Sequence, residues 1–445
     1  MEEIKLTNWR KAYEEKLTTA EEVVHLVKDG DFMAFAGGAN YPKLFDQALS
    51  RHLLAKNYHI GLYTQFLIED QALFNRELKD YVDIFDIFLS AERKYAANGN
   101  LNLIPVNIGK NGEVIQYRKP RIVAMTCSPP DEEGWMSRSL WAPHLHRDNF
   151  EDPACEIVIV EVNKNMPFVR STGDKHCLIH VSEVDYILEA DYLWPEVKSI
   201  ESTEVEKSIA GYCADLIEDG SCLQLGIGGL ADAIGFDLVH SNKKDLGLHS
   251  EVMSNCFAEL IKAGVINNSR KQLAKGKSCF GYVIGDRNLW DFCREEKNLC
   301  QKEIDWVNDP YNISQNHNVV SINGVLEMDL LGQAASEAIG RKQYSATGGQ
   351  LQWVFGSQRS PGGKSILALN STYVDKQGVM RSKIKGCLEA GSIITTPRTL
   401  TQYVVTEYGA ADLKYKSVKE RAEALVRIAH PDFRDELRFE AAKLR

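Results

Sequence analysis

One pattern is written twice in this chain. Residues 28–38, KDGDFMAFAGG, are matched by residues 218–229, EDGSCLQLGIGG, and residues 60–65, IGLYTQ, by residues 246–251, LGLHSE. Each copy reads as a charged turn, a short apolar strand, a glycine turn, a helix and a second strand. Thr19 with Glu22, and Thr203 with Glu206, have the spacing of a capping box, so a helix is expected ahead of each copy, the first one running to Gly30. Strands alternating with helices imply parallel sheets, and a repeat of this length implies two related open α/β domains. The expected division is 1–195 and 196–445, at the pattern-breaking segment around Trp194, Pro195 and Glu196.

The second copy carries the chemistry. Leu223 to Leu225 form the expected strand, Gly226, Gly228 and Gly229 the turn, and a helix is expected from about Ala231. Glycines at a strand-to-helix turn let backbone N–H groups approach a ligand, and the helix behind them presents its positive end, so an anion is the expected guest. Glu251 is expected to close the next strand at the sheet edge where ligands collect in open α/β folds. In the first copy that place is held by Gln65. A repeat needed only for folding does not require a charge there. The asymmetry therefore suggests a catalytic half and a supporting half.

Elsewhere the chain reads as ordinary α/β structure. Ile157 to Val162 and Val184 to Leu188 suit buried parallel strands, as do Val319 to Ile322 and Ser365 to Leu369. Gly348 and Gly349 in SATGGQ form a second glycine turn, read either as a tight turn or as backbone amides facing a substrate oxygen. Ser417 and Glu420 cap a C-terminal helix that Pro431 interrupts.

Composition narrows the partners. At a formal net charge of −10, with Lys and Arg scattered among acids, the chain has no basic stripe for nucleic acid. No apolar run approaches membrane length, and the charged N-terminal segment MEEIKLTNWRKAYEEKL lacks the apolar core of a signal peptide, so a cytoplasmic protein is expected. The ten cysteines form no C-x-x-C pair and read as reduced core residues. The pairs His144/His146 and His176/His180 have no Cys or acidic partners at ligand spacing, and no metal site is expected.

Several blocks in order resemble the acetyl-CoA hydrolase/transferase group of class I CoA-transferases: SPPDEEGWMS from Ser128, VEVNKNMP from Val160, LQLGIGGLADAIG from Leu223, DLGLHSEVMS from Asp245, TGGQ from Thr347, GGKSI from Gly362 and YVVTEYGAADL near the C-terminus. The likeness is strongest to 4-hydroxybutyrate and butyryl-CoA:acetate CoA-transferases. It implies domains of the NagB/RpiA/CoA-transferase-like type. It also implies that Glu251 is the nucleophile, forming an acyl anhydride and then a glutamyl-CoA thioester. Gly226, Ile227, Gly228, Gly229 and Leu230 match the CoA-binding loop, Leu326 and Gly349 fall at further CoA-contact positions, and Lys364 is another candidate.

Such chemistry needs no metal or resident cofactor, because coenzyme A enters as part of the substrate. Expected partners are acyl-CoA and short-chain carboxylic acids, and the resemblance implies a homodimer or higher homo-oligomer. Two departures bear on the acyl pocket: Gln352 and Trp353 stand where relatives usually carry Asp and Phe, and Ala334 and Ala335 where they often carry Val and Asn. Butyrate, 4-hydroxybutyrate and acetate are therefore joined as candidates by dicarboxylates such as succinate or itaconate, for which Arg359 is a candidate counter-charge, a surface Arg in a loop being the commoner case. An acyl-CoA hydrolase on the same scaffold and a non-catalytic CoA-binding sensor are the alternatives. A sugar-phosphate isomerase of related fold has no motif in its favour.

Overall fold

The structure is a computed structural model that describes residues 9–169, 171 and 175–444; the first eight residues of the charged N-terminal segment thus lie outside the description. The chain divides into two units. One comprises Met1–Val197 with Gly281–Val283 and Arg287–Asp305, the other Lys198–Phe280, Ile284–Asp286 and Trp306–Arg445.

The first unit is built on β1 (Phe32–Phe35), β2 (Ile60–Tyr63), β3 (Val82–Asp86), β4 (Leu101–Leu103), β5 (Ile122–Cys127), β6 (Ile157–Asn163) and β7 (Tyr186–Ala190). They hydrogen-bond in the order β4-β3-β2-β1-β5-β6-β7, and every pair is parallel. Each residue of β6 is buried, as a continuous apolar run requires of a strand covered on both faces. Helix α1 (Lys43–Lys56) connects β1 to β2 and stops at Asn57 in the left-handed conformation. The Thr19 capping box is present, but its helix covers Ala20–Val23 and gives way to a single 3₁₀ turn, Val24–Leu26. Three β-branched valines, Val23, Val24 and Val27, crowd this segment and weaken its helical preference, so it ends short of Gly30.

In the second unit, α2 (Glu204–Asp215) starts at a complete Thr203/Glu206 capping box. It is followed by β8 (Cys222–Leu225), α3 (Gly229–His240), β9 (Gly247–Met253), β10 (Ser278–Val283, of which Ser278–Phe280 belong here), β11 (Val319–Gly324), α4 (Gln350–Arg359), β12 (Lys364–Ala368), β13 (Tyr403–Thr406), β14 (Gly409–Asp412), α5 (Val418–Ile428) and α6 (Arg434–Ala441). The sheet runs β10-β9-β8-β11-β12-β13-β14. The pairs β8/β9, β8/β11, β11/β12 and β12/β13 are parallel, and β14 closes the edge antiparallel to β13. Leu367, Val404, Val354, Leu425 and Met328 form the centre of its core. Two of the bounds that differ from expectation bear on the site. Helix α3 begins at Gly229, two residues before Ala231, and β9 continues to Met253, so Glu251 lies inside its strand.

The two sheets repeat one register. Phe32 pairs with Gly61 in β1/β2, and Cys222 pairs with Gly247 in β8/β9. Four residues beyond Gly61 is Gln65, and four beyond Gly247 is Glu251, as the sequence alignment implies. Of the cysteines, all free, Cys155 is half-buried and Cys387 exposed, while the other eight are buried. Among the described residues no helix is long and apolar enough to cross a membrane.

Candidate active site

At the carboxyl edge of the second sheet, three segments bring their functional atoms together. Strand β9 supplies Glu251, half-buried between the buried residues Ser250 and Val252. The Ser250 hydroxyl donates to the Leu225 carbonyl at 3.2 Å, tying this strand to the last strand residue before the glycine turn. Asn308, fully buried and just ahead of a short helix capped by Asp309, donates through Nδ2 to Glu251 Oε2 at 2.6 Å. Gly349 stands at the N-terminus of α4 so close to the carboxylate that a Cβ there would overlap Glu251 Oε2 and Asn308 Nδ2. Its φ of −101° is open to any residue, so contact rather than backbone strain demands glycine.

Burial raises the Glu251 carboxyl above the ordinary glutamate value, and the Asn308 hydrogen bond opposes that shift. A charge-assisted bond of this kind contributes about 1.5–3 kcal/mol to the ionised form. Behind the carboxylate, His249 stacks on Trp306 with centroids 5.4 Å apart and meets Trp353 edge-on at 5.5 Å. Burial lowers its pKa to about 3, so the ring is neutral. Its Nε2 lies 3.0 Å from the Val307 carbonyl and therefore carries the proton, while Nδ1 accepts from Asn316. His249 is thus a wall of the site rather than a proton carrier.

The glycine turn lies one strand away. Gly226 and Ile227 are exposed, and nothing lies within 4 Å of a Cβ built on Gly226 or Gly228. Gly228 has φ +100°, which only glycine adopts without strain. Gly229 and Leu230 open the 12-residue helix α3, whose first N–H groups face the turn. The loop is open at Gly226 and Gly228, whereas a Cβ on Gly229 would overlap the Glu206 carboxylate. Leu326 follows β11 at the same sheet edge. Its N–H donates to the Ala335 carbonyl at 3.0 Å, which fixes the Leu326 turn and places the departure at Ala334 and Ala335 beside it. The TGGQ turn is held from behind by Glu337, a buried carboxylate that accepts from Thr347 Oγ1 at 3.0 Å and Thr395 Oγ1 at 3.1 Å.

Two candidate residues do not join the site. Lys364 begins β12 at the opposite, amino edge of the sheet, where its Nζ donates to the Leu216 carbonyl and to Glu218 Oε1. Arg359 is the last residue of α4, roughly 15 Å along the helix from Gly349 at 1.5 Å per residue, and its exposed guanidinium lies over Phe355. Asn308, in contrast, had no sequence signal: it is 57 positions from Glu251 and lies outside every recognisable motif.

The matching turn of the first unit is filled. A Cβ on Gly37 would overlap the Gln65 carbonyl, and one on Gly38 would overlap the Trp141 ring. The Gly37 N–H is already used, donating to His144 Nδ1 at 3.1 Å. Gln65 is buried, with Nε2 donating to the Tyr282 hydroxyl at 3.2 Å. Of the histidine pairs, His146 comes within ligand distance of Glu303 and Asp305, but Glu303 already accepts from Arg138 and from the Arg147 N–H. A guanidinium on the carboxylate disfavours a cation there.

A sequence profile of the acetyl-CoA hydrolase/transferase N-terminal domain matches residues 1–195, and one of the C-terminal domain matches residues 285–441. The chain belongs to the acetyl-CoA hydrolase/transferase family. Within it, this family member is 38% identical to the 4-hydroxybutyrate coenzyme A transferase of Clostridium kluyveri, with 98% of this chain and 99% of that protein covered. It is also 38% identical to the succinyl-CoA:cyclohexane-1-carboxylate CoA transferase of Geobacter metallireducens, covering 97% and 96%. Among solved structures, RipA from Yersinia pestis superposes with a TM-score of 0.89 at 33% identity, covering 98% of this chain and 99% of that one.

Proposed function

We propose that this protein is an acyl-CoA:carboxylate CoA-transferase in which Glu251 carries the group in transit. The observation that carries the reading is the Glu251 carboxylate itself, held by Asn308 against the glycine at the start of α4 and one strand from a glycine turn that is open at Gly226 and Gly228. The full-length likeness to proteins named as CoA-transferases supports the same reaction class.

In the first step a Glu251 oxygen attacks the thioester carbonyl. The C–S bond breaks, CoA leaves as thiolate, and an acyl-glutamyl anhydride forms. The thiolate then attacks Cδ of Glu251, the donor acid leaves as carboxylate, and a glutamyl-CoA thioester remains. An acceptor carboxylate repeats the two steps in reverse order and departs as its CoA ester. Activation is conserved at each stage, no net proton is taken up, and the kinetics are ping-pong. Negative charge develops on the attacked carbonyl oxygen in each step, and the Gly349 end of α4 supplies backbone donors for it. The turn at Gly226 to Leu230, open at Gly226 and Gly228, is suited to CoA, with Leu326 beside it at the same edge.

Coenzyme A enters as substrate, and the chemistry asks for no metal or resident cofactor. The acids proposed are short-chain: butyrate, 4-hydroxybutyrate or acetate. The dicarboxylate reading loses the residue that motivated it, because Arg359 stands at the far end of α4. The proposal includes a cytoplasmic homodimer or higher homo-oligomer, which light scattering on the purified protein tests.

The deciding experiment mixes the protein with butyryl-CoA or acetyl-CoA, traps with borohydride and maps the peptides. A modification at Glu251, lost in Glu251→Ala, together with acid-dependent formation of a new acyl-CoA, is the expected result. CoA release that no free acid converts into a new thioester would make it a hydrolase. Binding with no adduct and no turnover would make it a sensor.

A further inference from the structure

The geometry points to Trp353 as the positioning residue that sets the orientation of Asn308 toward Glu251. Trp353 lies one turn into α4, its backbone N–H bonded to the Gly349 carbonyl at 3.0 Å, and its indole Nε1 donates to Asn308 Oδ1 at 3.2 Å. Asn308 then donates through Nδ2 to Glu251 at 2.6 Å. Both linking side chains are fully buried, so the bond between them is shielded from water, while Glu251 itself is half-buried.

A carboxamide has two orientations that exchange its oxygen and its NH₂ group. An indole N–H can only donate, and an ionised carboxylate can only accept. Trp353 therefore accepts only the orientation with Oδ1 toward itself, which is the one that aims the NH₂ group at Glu251. Without the indole donor, a buried Oδ1 is left unpaired, and the amide loses the constraint that does not depend on the charge of Glu251.

That independence matters if Glu251 is the nucleophile, the reading on which this inference rests. Once Glu251 is acylated its negative charge is gone, and the carboxylate no longer holds the amide. Trp353 still does. When thiolate or acceptor carboxylate attacks Cδ, charge develops on the glutamyl carbonyl oxygen, and the Asn308 NH₂ group is already directed at it. Phe at this position has no N–H to give.

The titratable neighbours are few. His249 on β9 touches Trp353 edge-on and is neutral, and Lys271, behind His249, is tied through Nζ to the carbonyls of Leu248 and Lys277. From its own segment, Asp309 is engaged in capping the helix that follows Asn308. A shift in the acid limb of the rate profile is thereby assigned to Glu251.

The test uses the full chain as Trp353→Phe, Asn308→Ala and the double variant. A second form replaces Trp353 by benzothienylalanine, which keeps both rings and substitutes sulfur for N–H, so that packing is retained even if the Phe variant folds poorly. Trp353→Phe and the sulfur isostere are expected to lower kcat about fivefold, the equivalent of one hydrogen bond, with KM within about twofold. The acid limb of kcat/KM should move to higher pH. In the Asn308→Ala background the same change at 353 should add nothing.

A wild-type kcat and acid limb in the isostere would overturn the inference, as would penalties at 353 and 308 that multiply. Glu251→Gln and adduct mapping run alongside. An adduct at Glu251 with an unaffected isostere removes the role of Trp353 alone, whereas turnover in Glu251→Gln with no adduct removes the nucleophile itself.

Discussion

The two glycine turns share a register and differ in what fills them. In the first unit, Gly37 and Gly38 make room for the Gln65 carbonyl and the Trp141 ring, and the Gly37 N–H is spent on His144. In the second, Gly226 and Gly228 face open space, and the residue four beyond the paired glycine is a carboxylate rather than an amide. One local grammar thus serves packing in one unit and access in the other. A glycine turn reports close approach of something; the surroundings decide whether that is a side chain or a ligand.

The units' buried acids differ in the same way. In the first, Glu161 accepts from the Phe45 N–H and the Tyr192 hydroxyl, while Asp46 accepts from Tyr41, Ala72 and Leu73. Those carboxyls are saturated with donors and structural. Glu251 accepts a side-chain bond from Asn308, and the nucleophilic role proposed for it needs an oxygen left unsaturated.

The largest effect expected separates Glu251 from its counterpart Gln65. Glu251→Gln should lower acid-dependent CoA transfer by about 10³-fold or more, as loss of a covalent nucleophile does, whereas Gln65→Leu should leave a Glu251 adduct in peptide maps. Next comes Gly349→Ala, whose Cβ must displace the carboxylate or Asn308. It should cost about 10²-fold in kcat with the thermal midpoint little changed.

Stability gives the third contrast. Gly38→Ala adds a Cβ into the Trp141 ring at φ +54° and should destabilise by about 2–3 kcal/mol in urea titrations. Gly226→Ala meets nothing and should stay within about 0.5 kcal/mol of wild type while raising KM for acyl-CoA.

A pH dependence distinguishes the acids of the first unit. Burial raises Asp46 to about 6 and Glu161 to about 7, so the fold binds their protons more tightly than the unfolded chain does. Their contribution is present in full below about pH 4 and is lost as pH rises through 6 to 7. Glu161→Gln should flatten that part of the stability profile, by on the order of 1–2 kcal/mol, in urea titrations at pH 5 and 7.5. A profile unchanged by the substitution would assign the pH dependence elsewhere.

Much of this was written locally in the chain. The boxes at Thr19/Glu22, Thr203/Glu206 and Ser417/Glu420 are all present, because each needs only residues three apart. The strands read from apolar runs are found within a few residues of their expected bounds, and the pairing of Gln65 with Glu251 follows from a repeat that any alignment of the halves displays. The valine-rich segment after Thr19 and the early start of α3 at Gly229 depart because end positions depend on packing as well as propensity.

By itself, then, the sequence determined the alternation of strands and helices, the repeated register, the glycine turns and Glu251 as the odd residue between the halves. Only the tertiary structure decided which turn is open, which residue partners the carboxylate and which charges stand away from it. Asn308 reaches Glu251, and Trp353 reaches Asn308, from segments distant in sequence, and Lys364 and Arg359 lie away from Glu251 at the other ends of their own elements. Capping and periodicity are properties of neighbours along the chain. Partner choice, burial and the end of a strand or helix at which a side chain emerges arise only when those elements are packed into one sheet.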